Sequence, residues 1–356
     1  MTRSRPTPVL LTLLLIIALS ACGGTGAATG GSDGRLTLAT PAPNSLFTFN
    51  QVIAEKLGFF KDEGLTVTLA PVVDSIPIAG LVQNGKADIG LVAATDAITA
   101  ALRTDELRMP YDERTGGNGF LVGLVVPEKS GVKTVADLAG KNVGLASPDQ
   151  DRAYLTAVLR KAGMTIGDVE TTMVGPGSPS VAQTLESGRI AAYAGTLTDF
   201  FAFDEAGLPV RDITPEGLEG LPVGGYIVRA ESLKQGDALV RFFRAMARGT
   251  YVGLERPKVA EAAARQAAPE EWGEPEKSRG LLAELAKTLA PFDGKNFGEI
   301  KADRWSNAQS LLKEAGVIDA SVDLNTFLAR DVLAPVNAFD RAATLAKADA
   351  WLAQNG

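Results

Sequence analysis

Residues 74–96 and 177–199 are two copies of one pattern, and this constrains the chain more than anything else in it. The first reads DSIPIAGLVQNGKADIGLVAATD and the second GSPSVAQTLESGRIAAYAGTLTD. They align without a gap at an offset of 103 residues (178 − 75). Ser75 falls on Ser178, Ala79 on Ala182, Gly85 on Gly188, Thr95 on Thr198 and Asp96 on Asp199. Each copy reads as a polar loop, a Ser able to cap a helix, and a Pro just inside it (Pro77, Pro179). An apolar-periodic helix of about ten residues follows. Gly85 or Gly188 then stops it, because glycine accepts positive φ. A short apolar strand comes next, 89–94 or 190–195, and each unit closes on a Thr-Asp pair. Open α/β sheets bind ligands beyond the carboxyl ends of their strands. Two such units predict two lobes whose ligand edges face each other across a cleft.

Length and composition exclude several alternatives. At 356 residues there is room for two ordinary domains, and 46% hydrophobic content can supply their cores. The net charge of −7 and the lack of a basic cluster exclude a nucleic-acid binder. There is no histidine, which removes His-based triads and the usual zinc sites, so no metal or cofactor is expected. Cys22 is the only cysteine, so no internal disulfide can form.

Residues 1–21 read as an export signal. Arg3 and Arg5 precede an apolar run at 9–19 that is too short to span a bilayer. The run ends in Leu19-Ser20-Ala21-Cys22, which resembles the lipobox of bacterial lipoproteins. That resemblance implies cleavage before Cys22 and a lipid anchor on its thiol. Residues 22–34 follow as a Gly-rich tether of roughly 20 Å. Strands are expected at 35–40, 65–72, 120–126, 143–146, 171–174 and 223–229. The strands at 120–126 and 223–229 are read as the two crossings between lobes. Ser147 with Pro148 and Gln150 reads as a capping box opening a helix to Lys161. Beyond residue 232 the chain is mostly helical. Helices are expected near 258–268, 275–290, 301–315 and 338–355, with Trp272, Trp305 and Trp351 as packing anchors.

The strings LGFFKDEGLTVTL (57–69), QNGKADIGLV (83–92), VADLAGKNVGLAS (135–147), LRKAGM (159–164) and LESGRIAAYAG (185–195) carry a family resemblance. In this order, behind a lipobox, the chain resembles solute-binding proteins of ABC importers. The group is the one that serves nitrate, sulfonates, taurine and thiamine-pyrimidine precursors. The resemblance covers about 36–330. It implies an α/β, two-lobed type II periplasmic-binding-protein fold. Each lobe would hold a mixed five-stranded sheet, joined by a two-strand hinge, with a helical C-terminal extension on lobe 1. The expected boundaries are 35–125 for the first part of lobe 1, 126–224 for lobe 2 and 225–356 for the rest of lobe 1. The implied partners are a small-molecule solute, an importer permease with its cytoplasmic ATPase, and a membrane reached through Cys22. The implied place is the periplasm or the outer face of the cytoplasmic membrane, as a monomer without catalytic residues. The Cys-rich and His-containing signature of eukaryotic thiamine-pyrimidine synthases is absent. Two alternatives remain. One is an enzyme on the same fold, similar to menaquinone-pathway enzymes, and the other is a ligand-sensing partner of a membrane receptor.

The loops after strands supply the candidate ligand contacts. In lobe 1 these are Asn44, Ser45, Phe47, Thr48, Asp74, Ser75, Thr95 and Asp96. In lobe 2 they are Ser147, Asp149, Gln150, Gly177, Ser178, Thr196, Thr198 and Asp199. Helices opening near Ser75, Ser147 and Ser178 would aim free backbone N–H groups into the cleft, which favours an anion such as a sulfonate or nitrate. Ordinary capping explains the same serines. Asp74, Asp96, Asp149, Asp151 and Asp199, with only Arg152 near them, would repel a free anion. They favour an amino or heteroaromatic solute, on which Phe47 could stack and to which Asn44 could hydrogen-bond. The balance leans to the second class, with a small sulfonate close behind.

Overall fold

The computed structural model describes residues 34–72, 77–113, 122–148, 150–216, 218 and 221–356. In chain order, β1 (Arg35–Thr40) leads into α1 (Phe49–Lys56) and α2 (Phe59–Asp62), then β2 (Thr66–Pro71). The first repeat copy folds as α3 (Ile78–Gln83), β3 (Ile89–Ala93) and α4 (Ala94–Arg103), followed by β4 (Leu107–Asp112). Next come β5 (Val122–Pro127), β6 (Asn142–Leu145), α5 (Gln150–Lys161) and β7 (Glu170–Met173). The second copy folds as α6 (Pro179–Glu186), β8 (Ala192–Thr196) and α7 (Leu197–Glu205). After β9 (Val210–Asp212) and β10 (Gly224–Arg229), helices fill the rest. They are α8 (Ala238–Glu255), α9 (Pro257–Ala267), α10 (Pro275–Thr288), α11 (Ala302–Glu314), α12 (Leu324–Phe327), α13 (Leu333–Val336) and α14 (Arg341–Asn355).

The strands form two mixed sheets, ordered β2-β1-β3-β10-β4 and β7-β6-β8-β5-β9. The repeat therefore supplies the central strand of each. β3 and β8 coincide residue for residue at the offset of 103 (192 − 89). Gly85 and Gly188 both adopt the left-handed conformation, at φ 67° and 74°, and end their helices as the sequence predicts. The helices themselves are shorter than predicted, six and eight residues. Residues 122–127, read from sequence as a crossing, form a strand wholly within the second sheet. Residues 224–229, also read as a crossing, form β10 within the first sheet, so the chain leaves that sheet after β4 and re-enters it at β10.

Side chains alternate across each sheet, and each sheet is covered on both faces. On the first, Leu36, Leu38, Ile89, Leu91, Tyr226 and Val228 pack with α1, α8, α9 and α10. On its other face, Ala39, Val92, Met109 and Ile227 pack with α4 and α11 around the fully buried Trp305. A register shift where β4 meets β10 turns Tyr111 onto the α8 face, where its ring stacks on Phe243 at 5.0 Å. α5 covers one face of the second sheet, and α6 and α7 cover the other. The two bodies touch through helices. Ala153 of α5 joins the cluster around Trp305, and Leu197 and Phe201 of α7 pack against the α1–α8 cluster. Among the described residues, no helix is long and apolar enough to cross a membrane.

Candidate functional site

The carboxyl ends of β1, β3 and β4 define the ligand edge of the first sheet. Thr40 closes β1 there, on the strand face shared with Leu36 and Leu38, and that face is covered by α1. Thr40 is fully buried, and its hydroxyl has no hydrogen-bond partner. In the first turn of α1, Asn50 and Gln51 are also fully buried. Asn50 Nδ2 donates to Thr250 Oγ1 at 3.3 Å, and its Oδ1 has no partner. Both polar atoms of the Gln51 amide lack one. Just beyond β4, the buried Glu113 accepts from the Tyr226 hydroxyl at 3.1 Å. Burial, and then the Glu113 charge, push the Tyr111 hydroxyl far above its ordinary pKa.

The β1–α1 loop is held by its own side chains. Thr48 Oγ1 donates to the Ala42 carbonyl at 2.8 Å, and Ser45 Oγ donates to the same oxygen at 3.1 Å. The Leu46 N–H donates to Glu271 Oε2 at 2.7 Å, which ties α1 to the C-terminal helices. Asn44 stands exposed at φ 57°, a left-handed position that asparagine tolerates. Phe47 is half-buried against the α1–α8 cluster and forms a wall there.

On the second sheet, two buried carboxylates hold the ligand edge together. Asp199 Oδ1 accepts from the Gly177 N–H at 2.6 Å. Its Oδ2 accepts from the Thr196 N–H at 2.6 Å and from Thr196 Oγ1 at 2.8 Å. Thr196 is the N-cap of α7 and Asp199 its N3 residue, a capping box. Thr198 Oγ1 lies 2.9 Å from Thr196 Oγ1. A side chain at 177 would place its Cβ 2.5 Å from Asp199 Cα, so only glycine allows this approach. Asp151 repeats the device, accepting from the Ser147 N–H at 2.5 Å while Ser147 Oγ accepts from the Asp151 N–H at 3.3 Å. Burial pushes the Asp151 carboxyl up to about 6, against the pull of the Ser147 hydrogen bonds.

Several expectations need correction. Gln150 does not complete the cap on Ser147; Asp151 does, because α5 begins at Gln150 rather than at Pro148. Thr95, Asp96, Thr198 and Asp199 stand in the first turns of α4 and α7, not in strand tails. Several N–H groups at the second-lobe openings are taken. Those of Ser147, Gly177 and Thr196 go to carboxylates, and that of Val181 goes to Ser178 Oγ at 3.4 Å. The equivalent aspartates also differ, since Asp199 is buried and Asp96 exposed. Asp74, Ser75, Asp149 and Cys22 lie outside the described residues.

The family model described as NMT1/THI5-like matches residues 48–260, more than half of the chain. The chain belongs to the NMT1/THI5-like family. Solved structures agree with this NMT1/THI5-like chain in fold. The periplasmic aliphatic sulphonate binding protein SsuA from Escherichia coli superposes with a TM-score of 0.66 at 16% identity, over 83% of this chain and 92% of that one. The alkanesulfonate-binding protein SsuA from Xanthomonas axonopodis pv. citri, bound to MOPS, gives 0.64 at 16% identity, over 83% and 98%. The desulfurization enzyme DSZB, in complex with biphenyl-2-sulfinic acid, gives 0.60 at 15% identity, over 85% and 98%. No curated protein matches the chain. The fold of this NMT1/THI5-like protein is the two-lobed type II periplasmic-binding-protein fold, as the sequence resemblance implies.

Gln51, Thr40, Asn50 and Glu113 escaped sequence reasoning. Only the place of Thr40 at the end of an alternating strand, and of Asn50-Gln51 in an otherwise apolar helix turn, could have signalled them.

Proposed function

We propose that this protein captures a small polar organic solute between its lobes, outside the cytoplasm, and presents it to an ABC importer. One observation carries the reading. The repeat gives both lobes the same strand-to-helix turn at the carboxyl end of the central strand, β3 into α4 and β8 into α7. Open α/β sheets bind ligands at such carboxyl ends, so each lobe offers a matching edge for a solute. On the second lobe, the loops at Ser147, Gly177 and Thr196 are fixed by Asp151 and Asp199. Membership of the NMT1/THI5-like family and the likeness to two sulfonate-binding proteins support capture. Presentation to the importer is inferred from the same kinship.

The fold shared with DSZB favours one rival, an enzyme. Against it, this chain has no histidine, and its single cysteine precedes the fold. A dialysis experiment separates the two. The purified protein is equilibrated with taurine, alkanesulfonates, nitrate, carboxamides and amino acids, and what it retains is recovered by mass spectrometry. Capture predicts one solute near one per chain, released chemically unchanged. A converted product supports the enzyme, and retention of nothing overturns capture. The anchor is tested separately: Cys22→Ser should move the protein from the membrane fraction to the soluble fraction, and continued sedimentation with membranes contradicts the lipid anchor.

A further inference from the structure

Helix α11 does more than cover the first sheet. Its first turn holds the chain both before and after the second lobe. Trp305 Nε1 donates at 3.3 Å to Oδ2 of Asp112, the last residue of β4. Arg304 Nη2 donates at 3.0 Å to the carbonyl of Leu221, which lies between β9 and β10. Leu221 itself packs against both the Trp305 cluster of the first sheet and the α5 cluster of the second. This end of the helix is buried: Trp305 is 0% exposed, Asp112 1% and Arg304 8%. The other end differs. Glu314, about 15 Å along the axis from Arg304, pairs with Arg160 of α5. Their side chains, 3.1 Å apart, are both about half exposed. Between the two ends, Ala308 of α11 and Ala153 of α5 are buried in one cluster. One helix thus joins the end of β4, the approach to β10 and a helix of the second lobe. Its grip is firm at the first end and weak at the second. Pulling a buried hydrogen-bonded side chain from its partner is costly, whereas an exposed ion pair contributes little.

We propose that α11 is a strap that sets the angle between the lobes, with its Arg304–Trp305 end as the pivot and the Glu314–Arg160 pair as the contact that parts when the lobes separate. Parting at the pivot would break the buried hydrogen bonds of Arg304 and Trp305, so the motion belongs to the other end. β4 and β9, which adjoin the pivot, stand at one extreme of each sheet, and β2 and β7 stand at the other. Rotation about the pivot therefore displaces β2 and β7 the most.

Spin labels at two exposed positions, Thr68 of β2 and Met173 of β7, read that motion. The full chain carries Thr68→Cys and Met173→Cys, with Cys22→Ser to remove its only native thiol. It is unfolded and refolded to strip retained solute, and the distances between labels are measured by pulsed electron paramagnetic resonance. Glu314→Arg sets like charges against Arg160 and should raise the population at longer distances roughly 2- to 5-fold over this parent. Exchanging the two charges, Arg160→Glu with Glu314→Arg, should restore the parental distribution. High salt should shift the parent in the direction of Glu314→Arg and leave Glu314→Gln unmoved. A helix that only stabilised the first lobe would alter melting and leave these distances alone. A Glu314→Arg distribution equal to the parent's, or an exchange that fails to restore it, overturns the proposal. No solute takes part in the measurement, so its failure leaves solute capture standing, and retention of no solute in the dialysis experiment leaves the strap standing.

Discussion

Asp96 and Asp199 are equivalent in sequence and differ in burial. The N-cap of α7 is Thr196, whose hydroxyl and N–H both engage Asp199, while the N-cap of α4 is Ala93, which has no hydroxyl. Asp199→Ala should therefore lower unfolding stability by ~1–3 kcal/mol, since it strips the partner from the Gly177 and Thr196 N–H groups. Asp199→Asn should lose less, because its amide oxygen can still accept one of those N–H bonds. Urea titration of both variants checks the pair. Asp151 predicts a pH signature. Its carboxyl is raised from 3.8 to about 6 in the folded state, so between those values the native protein holds more protons than the unfolded one. Stability contributed at this site must then fall as pH rises from 4 to 7. Asp151→Asn should flatten that part of the profile relative to wild type, and an unchanged difference across the range contradicts it. The sequence reveals that an aspartate follows each central strand. It does not reveal that one turns inward, because that depends on a threonine three residues earlier and on Gly177, 22 residues away. Gln51 was illegible for a related reason. Burial of α1 is completed by α8 and α9, nearly two hundred residues on.

At the level of elements, the repeat and the glycine stops were readable because they are local. β1 matches its expected span, and the four long C-terminal helices fall within a few residues of theirs. β4 and β9 were missed. Both lie at sheet edges; β4 carries Pro110 and β9 has three residues, so neither shows the apolar alternation of an inner strand. Helix packing fixes the site as firmly as the strands do. A Cβ at position 249 of α8 would stand 2.2 Å from the Asn50 carbonyl of α1. Gly249→Ala must push α1 away from α8 and displace Asn50 and Gln51 with it. It should lower stability by ~1–3 kcal/mol and weaken solute binding together. A variant that lost stability but kept full affinity would show that α1 does not position the site.

For the whole molecule, the order of the two sheets builds two lobes whose elements come from distant parts of the chain. The C-terminal helices pack on the first sheet and also meet the second lobe. Arg160 of α5 pairs with Glu314 of α11 at 3.1 Å, and Lys277 of α10 donates to the Asp204 and Glu205 carbonyls of α7 at 3.3 and 3.4 Å. These contacts are exposed and weak individually, which suits lobes that part to admit a solute. The two-lobe architecture was legible because the chain states its central unit twice. The detail at the two strand ends was not, because it arises where the two statements differ. The most direct test of the account melts the protein over one solute panel. The account predicts a solute that raises the midpoint by several degrees, on the order of 2.7 kcal/mol at a hundred times its dissociation constant. A panel that leaves the midpoint unmoved would contradict it.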